Sequence, residues 1–238
     1  MAKNRPKKAN YWRASRSLAV SYVFIVPLLA LYEIGVLFQP EVRNGTDPIL
    51  RGLFDRFGSA GMLSLELCYL VLLLVSIARA RQVRVGRPDI YGMMFAESIL
   101  WSGGLFIVAQ VLHNVLSNLQ LAISGFLPDT IAAAGAGVYE EIIFRFAIMG
   151  GTIQLLRRVL GATPGWAVAF ALPLSAGLFS WAHHGIGGEV FTYPVFFFRA
   201  VMGVILGAIY LTRGLGLTVY THALYNVLVS LVSEGADG

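Results

Sequence analysis

Seven stretches of this chain are apolar enough and long enough to cross ~30 Å of hydrocarbon at ~1.5 Å per helical residue. They lie at about 17–38, 59–78, 91–117, 130–156, 164–184, 193–212 and 214–232. A segment in lipid has no water to satisfy its backbone, so repeated runs of this length become helices. The expected fold is all-α, a polytopic transmembrane bundle of about seven spanning helices. Charge content agrees: 13% of the 238 residues are charged, about half the share of a soluble domain. A water-soluble fold of this size could not cover its own surface with that supply, so lipid is the solvent for much of it.

The net charge of +5 would suit a nucleic-acid partner, but its distribution argues for a membrane surface. Lys3, Arg5, Lys7, Lys8, Arg13 and Arg16 fall in the first 16 positions with no acid among them. A basic cluster before an apolar span reads as a cytoplasmic anchor or an anionic-lipid contact, and no nucleic-acid partner is expected. The following apolar run is too long for a cleaved signal peptide, and no small-residue cleavage site follows it closely. The remaining cations form a second test of topology. Arg79, Arg81, Arg84 and Arg87, then Arg157 and Arg158, then Arg213 occupy alternate connections. With the first six, that makes 13 basic residues on one side against three, Arg43, Arg51 and Arg56, on the other. A cytoplasmic N-terminus with seven crossings follows, in a membrane read as the bacterial inner (plasma) membrane. The chain thus divides into a basic tail (1–16), three N-terminal spans (17–129), four further spans (130–232) and a short tail (233–238). Cys68, the single cysteine, sits in an apolar run and reads as a packing residue.

Ionisable groups inside spans need an explanation, because a mid-bilayer charge costs at least ~2.5–3.5 kcal/mol. Glu33, Glu66 and Glu97 stand singly in the first three spans and are expected to make helix–helix hydrogen bonds. The fourth span carries a denser group, Tyr139-Glu140-Glu141-Ile142-Ile143-Phe144-Arg145. Four residues apart, Glu141 and Arg145 share a helix face and can pair. Glu140 is turned ~100° away and is free to face something else. Later spans supply polar partners: Phe179, His183 and His184 near the end of the fifth, and His222 with Asn226 on one face of the seventh.

Known intramembrane hydrolytic chemistries narrow the choice. No His is followed by Glu, so the HExxH zinc helix is absent. Asp47, Asp55, Asp89, Asp129 and Asp237 all lie in loops or at span ends, which removes an aspartyl dyad. Ser124-Gly125 lacks the first glycine of a rhomboid-like nucleophile motif. A carboxylate with histidines remains.

Glu140-Glu141-xxx-Arg145, Phe179-xxx-His183 and His222-xxx-Asn226, in that order and each within an apolar segment, resemble the three motifs of the CPBP (CAAX protease and bacteriocin-processing) family. The resemblance covers about residues 130–232. It implies an intramembrane glutamic endopeptidase that uses no cofactor and cuts membrane-associated or exported polypeptides. Glu140 and His183 would activate water, His222 and Asn226 would donate to the oxyanion, and Glu141, Arg145 and Phe179 would support them. The depths of Glu140, His183 and Asn226 put this group in the outer half of the membrane. That orientation suits a bacterial member trimming exported or anchored proteins, as myxosortase-like members do, better than one acting on cytoplasmic prenyl-proteins. Two other classes stay open. Glu140, His183 and His222 also fit a two-His, one-carboxylate zinc or iron site. Buried Glu, His and Arg also occur in transporters and in non-enzymatic membrane scaffolds, although the chain shows no repeated halves.

Overall fold

The structure, a computed structural model, describes residues 11–39, 88–116, 126–185 and 190–234, with isolated positions at 58, 67, 70, 71, 74, 75 and 78. The predicted second span (59–78), with Glu66 and Cys68, lies mostly or wholly outside the described residues, as do residues 1–10 and the 40–57 connection. Every described element is helical: α1 (Tyr11–Ser15), α2 (Leu18–Phe38), α3 (Pro88–Leu116), α4 (Phe126–Gly135), a π-helical segment π1 (Ala136–Gly150), α5 (Gly151–Arg158), α6 (Pro164–Gly185), α7 (Tyr193–Arg213) and α8 (Leu215–Glu234).

Five of these, α2, α3, α6, α7 and α8, are long and apolar enough to cross a membrane. The fourth predicted span is realised as α4–π1–α5, and its backbone stays in the right-handed helical region at both joints (Gly135 φ −62°, ψ −47°; Gly150 φ −62°, ψ −43°). It departs from the expected plain α-helix. The middle 15 residues take i→i+5 bonding, a form that is rare and concentrated at functional sites. Large side chains such as Leu37, Phe38, Leu100, Ile107, Val115 and Trp166 are exposed on the outside. In water that would be an aggregation surface; in a bilayer it is the solvated face. The chain is an all-α, polytopic membrane bundle.

α8 is the axis of this bundle, packing against α2, α3, α4, π1 and α7. On one side Leu215 and Val219 join Ile25, Tyr32, Ile131 and Val138. On another, Tyr225 joins Leu105, Phe198, Met202 and Leu206. The α7–α8 turn is made by Gly214 at φ +87°, a left-handed conformation that disfavours a side chain. A Cβ there would also lie 3.0 Å from the Arg16 backbone. The N-terminal segment and the α7–α8 turn therefore meet at one end of the molecule, which also holds Arg157 and Arg158 at the end of α5.

That end is locked by a half-buried acid. Glu97 on α3 accepts from Arg213 Nε (2.5 Å) and Nη2 (2.7 Å), from Tyr11 Oη (2.6 Å) and from Trp101 Nε1 (3.1 Å). The Arg213 guanidinium stacks 3.8 Å over the Trp12 ring. Burial, followed by the bond to Glu97, pushes the Tyr11 hydroxyl up to about 12, so it stays a donor at neutral pH. Arg213, expected in a solvent-facing turn, is instead buried. Glu97 and Glu33 both make the expected interhelical bonds, Glu33 accepting from Tyr139 of π1.

π1 approaches α8 through Gly137, where a Cβ would fall 2.8 Å from the Val219 carbonyl oxygen and 2.8 Å from the Ala223 Cβ. Backbone cannot yield there as a flexible side chain would. Gly137→Val should therefore force α8 away and lower stability by roughly 1–3 kcal/mol. Thermal unfolding of the detergent-purified protein measures this, and an unchanged midpoint refutes the close approach.

Candidate active site

The two adjacent glutamates leave π1 towards different neighbours. Glu141 is fully buried and its Oε1 lies 3.1 Å from Arg145 Nη1, one turn along the same segment. The same oxygen lies 2.8 Å from His222 Nδ1 on α8. An acceptor already facing a guanidinium is an ionised carboxylate, so Nδ1 of His222 carries the hydrogen. Glu140 turns to the other side, into a cavity of about 300 Å³ bounded by α3, α4, π1, α6, α7 and α8. There its two oxygens each face an imidazole: Oε1 is 3.9 Å from His183 Nε2, and Oε2 is 3.9 Å from His222 Nε2.

His183 is oriented by its own helix. Its Nδ1 lies 2.9 Å from the Phe179 carbonyl oxygen, which can only accept, so Nδ1–H donates and the Nε2 lone pair points at Glu140. Phe179 is the packing centre of the group. Its ring meets Phe144 (5.5 Å), His183 (4.9 Å) and His222 (6.0 Å) edge-on, and the Arg145 guanidinium sits 4.3 Å over its centroid. Arg145 is also completely buried, with Nη2 donating to the Gly203 carbonyl at 3.4 Å. Ser175 of α6 donates to the Phe144 carbonyl of π1 at 2.7 Å, tying the two segments at the level of the site.

A gap of 3.9 Å is too long for a direct hydrogen bond. It can be bridged by a water ~2.8 Å from each group, at an angle of about 90°. Glu140 can serve one such molecule with either imidazole. The arrangement therefore holds a carboxylate, two ring nitrogens and space for a small oxygen nucleophile.

Glu140, Phe179, His183, His222 and Asn226 all line this cavity. Asn226 stands one turn beyond His222 on α8. Glu141 and Arg145 form the expected pair behind it. His184, the other histidine at the end of the fifth predicted span, faces elsewhere, with its ring against Phe191 and Phe196. Sequence reasoning gave Glu141 only Arg145 as a partner and missed its bond to His222. It also left Arg199 and Asp129 unassigned, and both line the same cavity. For Arg199 the signal was present: an arginine inside an apolar span with no assigned role is itself a functional candidate.

Removing Arg145 would leave Glu141 as a buried charge without its cation and empty the space above Phe179. Arg145→Ala should destabilise the protein by roughly 3–5 kcal/mol, visible as lower yield and an earlier unfolding midpoint. Wild-type stability in that variant is the outcome that breaks the assignment.

Residues 123–228 match the family described as type II CAAX prenyl endopeptidase, Rce1-like. The match runs from just before α4 to within α8, and so contains every residue named at the site. No curated protein and no solved structure matches the chain. Residues 123–228 are thus similar to the Rce1-like CAAX protease family, and the chain that carries them is an integral, multi-pass membrane protein.

Proposed function

We propose that the protein is a glutamic intramembrane endopeptidase with Glu140 as general base. The observation that carries this reading is the Glu140 carboxylate lying 3.9 Å from Nε2 of both His183 and His222. A water held by Glu140 and His183 gives its proton to Glu140 as its oxygen attacks the scissile carbonyl. The oxyanion that forms takes hydrogen bonds from the Asn226 amide and from His222 Nε2–H. His222 has that proton only as an imidazolium, and the charge count supplies the reason. Glu140 and Glu141 against Arg145 leave one negative charge uncompensated, which a protonated His222 balances. Glu140 then passes its proton to the departing amine as the C–N bond breaks, leaving a carboxylate and a free amine. Glu141 acts through His222, fixing its ring. No cofactor is needed for any of these steps.

The polypeptide cut is membrane-associated or exported. The cavity lies towards the end of the bundle opposite the basic α1/α5 end. With that basic end in the cytoplasm of a bacterial plasma membrane, the site opens towards the outer leaflet. A substrate presented from the cytoplasm fits that orientation poorly, and anchored or exported proteins fit it well. The partners are such a substrate and the surrounding lipid, and no nucleic acid.

Glu140→Gln keeps the shape of the site and removes its base, so proteolysis should fall by about 10³-fold or more with the fold intact. Asn226→Ala should cost about 10²-fold, the usual effect of losing one oxyanion donor. Comparing membrane-protein processing in cells with wild type or Glu140→Gln would expose the uncut substrate. Normal processing in the variant excludes Glu140 as base.

A metal-centred reading is favoured by one observation: both histidines have Nδ1 held by an acceptor, with Nε2 turned on one carboxylate, as metal-binding histidines do. Among the described residues, however, no group of three His, Cys, Asp or Glu is drawn together closely enough to hold an ion. Activity should persist under strong chelation. Loss on chelation that zinc alone restores would replace the glutamic mechanism.

A further inference from the structure

A second cavity, of about 580 Å³, lies at the basic α1/α5 end and has no part in the proposed chemistry. Three segments far apart in the chain form it: the entry to α2 at Arg16 and Leu18, the π1–α5 joint between Phe146 and Gln154, and the α7–α8 turn between Tyr210 and Leu215. Its lining is of two kinds. Leu18, Phe146 and Leu211 give an apolar wall, and Leu18 and Phe146 remain exposed, so the wall is open to lipid. Arg16, Gln154 and Tyr210 supply donors, and no lining residue is acidic. α2 begins at Leu18 and α7 ends at Arg213, and both are long enough to span. The cavity therefore sits where headgroups meet acyl chains.

The protein itself uses these donors little. The Arg16 backbone is wedged against the α7–α8 turn, where a Cβ on Gly214 would lie 3.0 Å from its Cα. Its guanidinium makes one long bond, Nη2 to the Leu211 carbonyl at 3.5 Å, and no carboxylate pairs with it among the described residues. A guanidinium carries five N–H donors, so most of its capacity is open. The Tyr210 hydroxyl stands over the joint, where a Cβ on Gly150 would fall 3.1 Å from it, and has no hydrogen-bond partner among the described residues.

We propose that this cavity binds one anionic phospholipid from the leaflet at the basic end. Arg16 takes the phosphodiester in a charge-assisted bond, Tyr210 and Gln154 donate to its remaining oxygens, and an acyl chain lies along Leu18 and Phe146. The surrounding charge selects the headgroup. An ammonium-bearing zwitterionic headgroup finds no acid in the lining, whereas a net negative one meets Arg16 and, at the same end, Arg13, Arg157 and Arg158. A soluble phosphate would leave the apolar wall uncovered. The bound lipid joins three segments at the foot of π1, and the assignment does not depend on the endopeptidase reading.

The test uses the full-length protein, delipidated in detergent, and native mass spectrometry with phosphatidylglycerol or phosphatidylcholine of matched chains. Wild type should retain a single phosphatidylglycerol about tenfold or more better than phosphatidylcholine. Arg16→Gln should bring that ratio close to one. Gly151→Leu is the second variant, because it changes no charge. Gly151 lines the cavity in the right-handed helical region (φ −62°, ψ −46°), and a Cβ there meets no atom within 4 Å. The new side chain takes up space the lipid needs without pressing on the protein, so tight retention should vanish while every cation remains. Either variant decides the matter if the other does not fold. Inorganic phosphate and glycerol phosphate should fail to displace the lipid, and displacement by either assigns the site to a soluble phosphate and overturns the proposal. Equal retention of the two lipids by wild type overturns it as well. A preference that survives in either folded variant reduces the binding to diffuse attraction by a basic surface and refutes the site.

Discussion

A low-dielectric interior tolerates ionised groups only in company, and the arrangement of this bundle follows from that rule. Glu141 is buried to zero exposure with Arg145 on one side and His222 on the other. Each contact brings in another element. Arg145 carries the cluster to α7 through the Gly203 carbonyl and to α6 through Phe179. His222 carries it to α8. Glu141 therefore fixes the relative placement of segments that are far apart in the chain, and the neighbouring Glu140 is aimed as a result. The residue that organises the site and the residue proposed to react are adjacent, and their duties are separated by the direction in which each leaves the helix.

Phe179 shows why the apolar part of such a site cannot be treated as filler. Its ring lies against both imidazoles and under the guanidinium. It keeps the Arg145 charge from reaching the cavity with a full hydration shell, and its carbonyl selects the His183 tautomer. Side chain and backbone of one residue thus set the electrostatics and the proton positions together. The same economy appears at Ser175, whose hydroxyl satisfies a carbonyl of the irregular π1 segment that lipid could not.

Much of this was legible in the residues themselves. Apolar run lengths located the spans because lipid thickness leaves little freedom. The separation of Glu140 from Glu141 followed from helical rotation, and the Glu141–Arg145 pair from four-residue spacing. What could not be read were the long-range partners. Glu97 and Arg213 are 116 positions apart, and Arg213 sits where a loop cation is equally reasonable, so only packing reveals that it is buried. The π bonding of residues 136–150 was likewise hidden, because side-chain pattern reports which face is apolar and not how many residues make a turn. His184 and His183 are neighbours of one type, and nothing local distinguishes the one that meets Glu140 from the one among Phe191 and Phe196.

The lock at Glu97 has a mechanical meaning for events at the opposite end. Arg213, held by two bonds to α3 and stacked on Trp12, pins α7 where it turns into α8. A pair of rods gripped at one end behaves like a tuning fork, with displacement growing along the prongs. Arg199 lies ~20 Å along α7 from that grip, so a tilt of roughly 5° about it would displace that level by about 2 Å. The Ser180 hydroxyl of α6, donating to the Phe196 carbonyl at the far end of α7, opposes that tilt. The helix is moored at both of its ends.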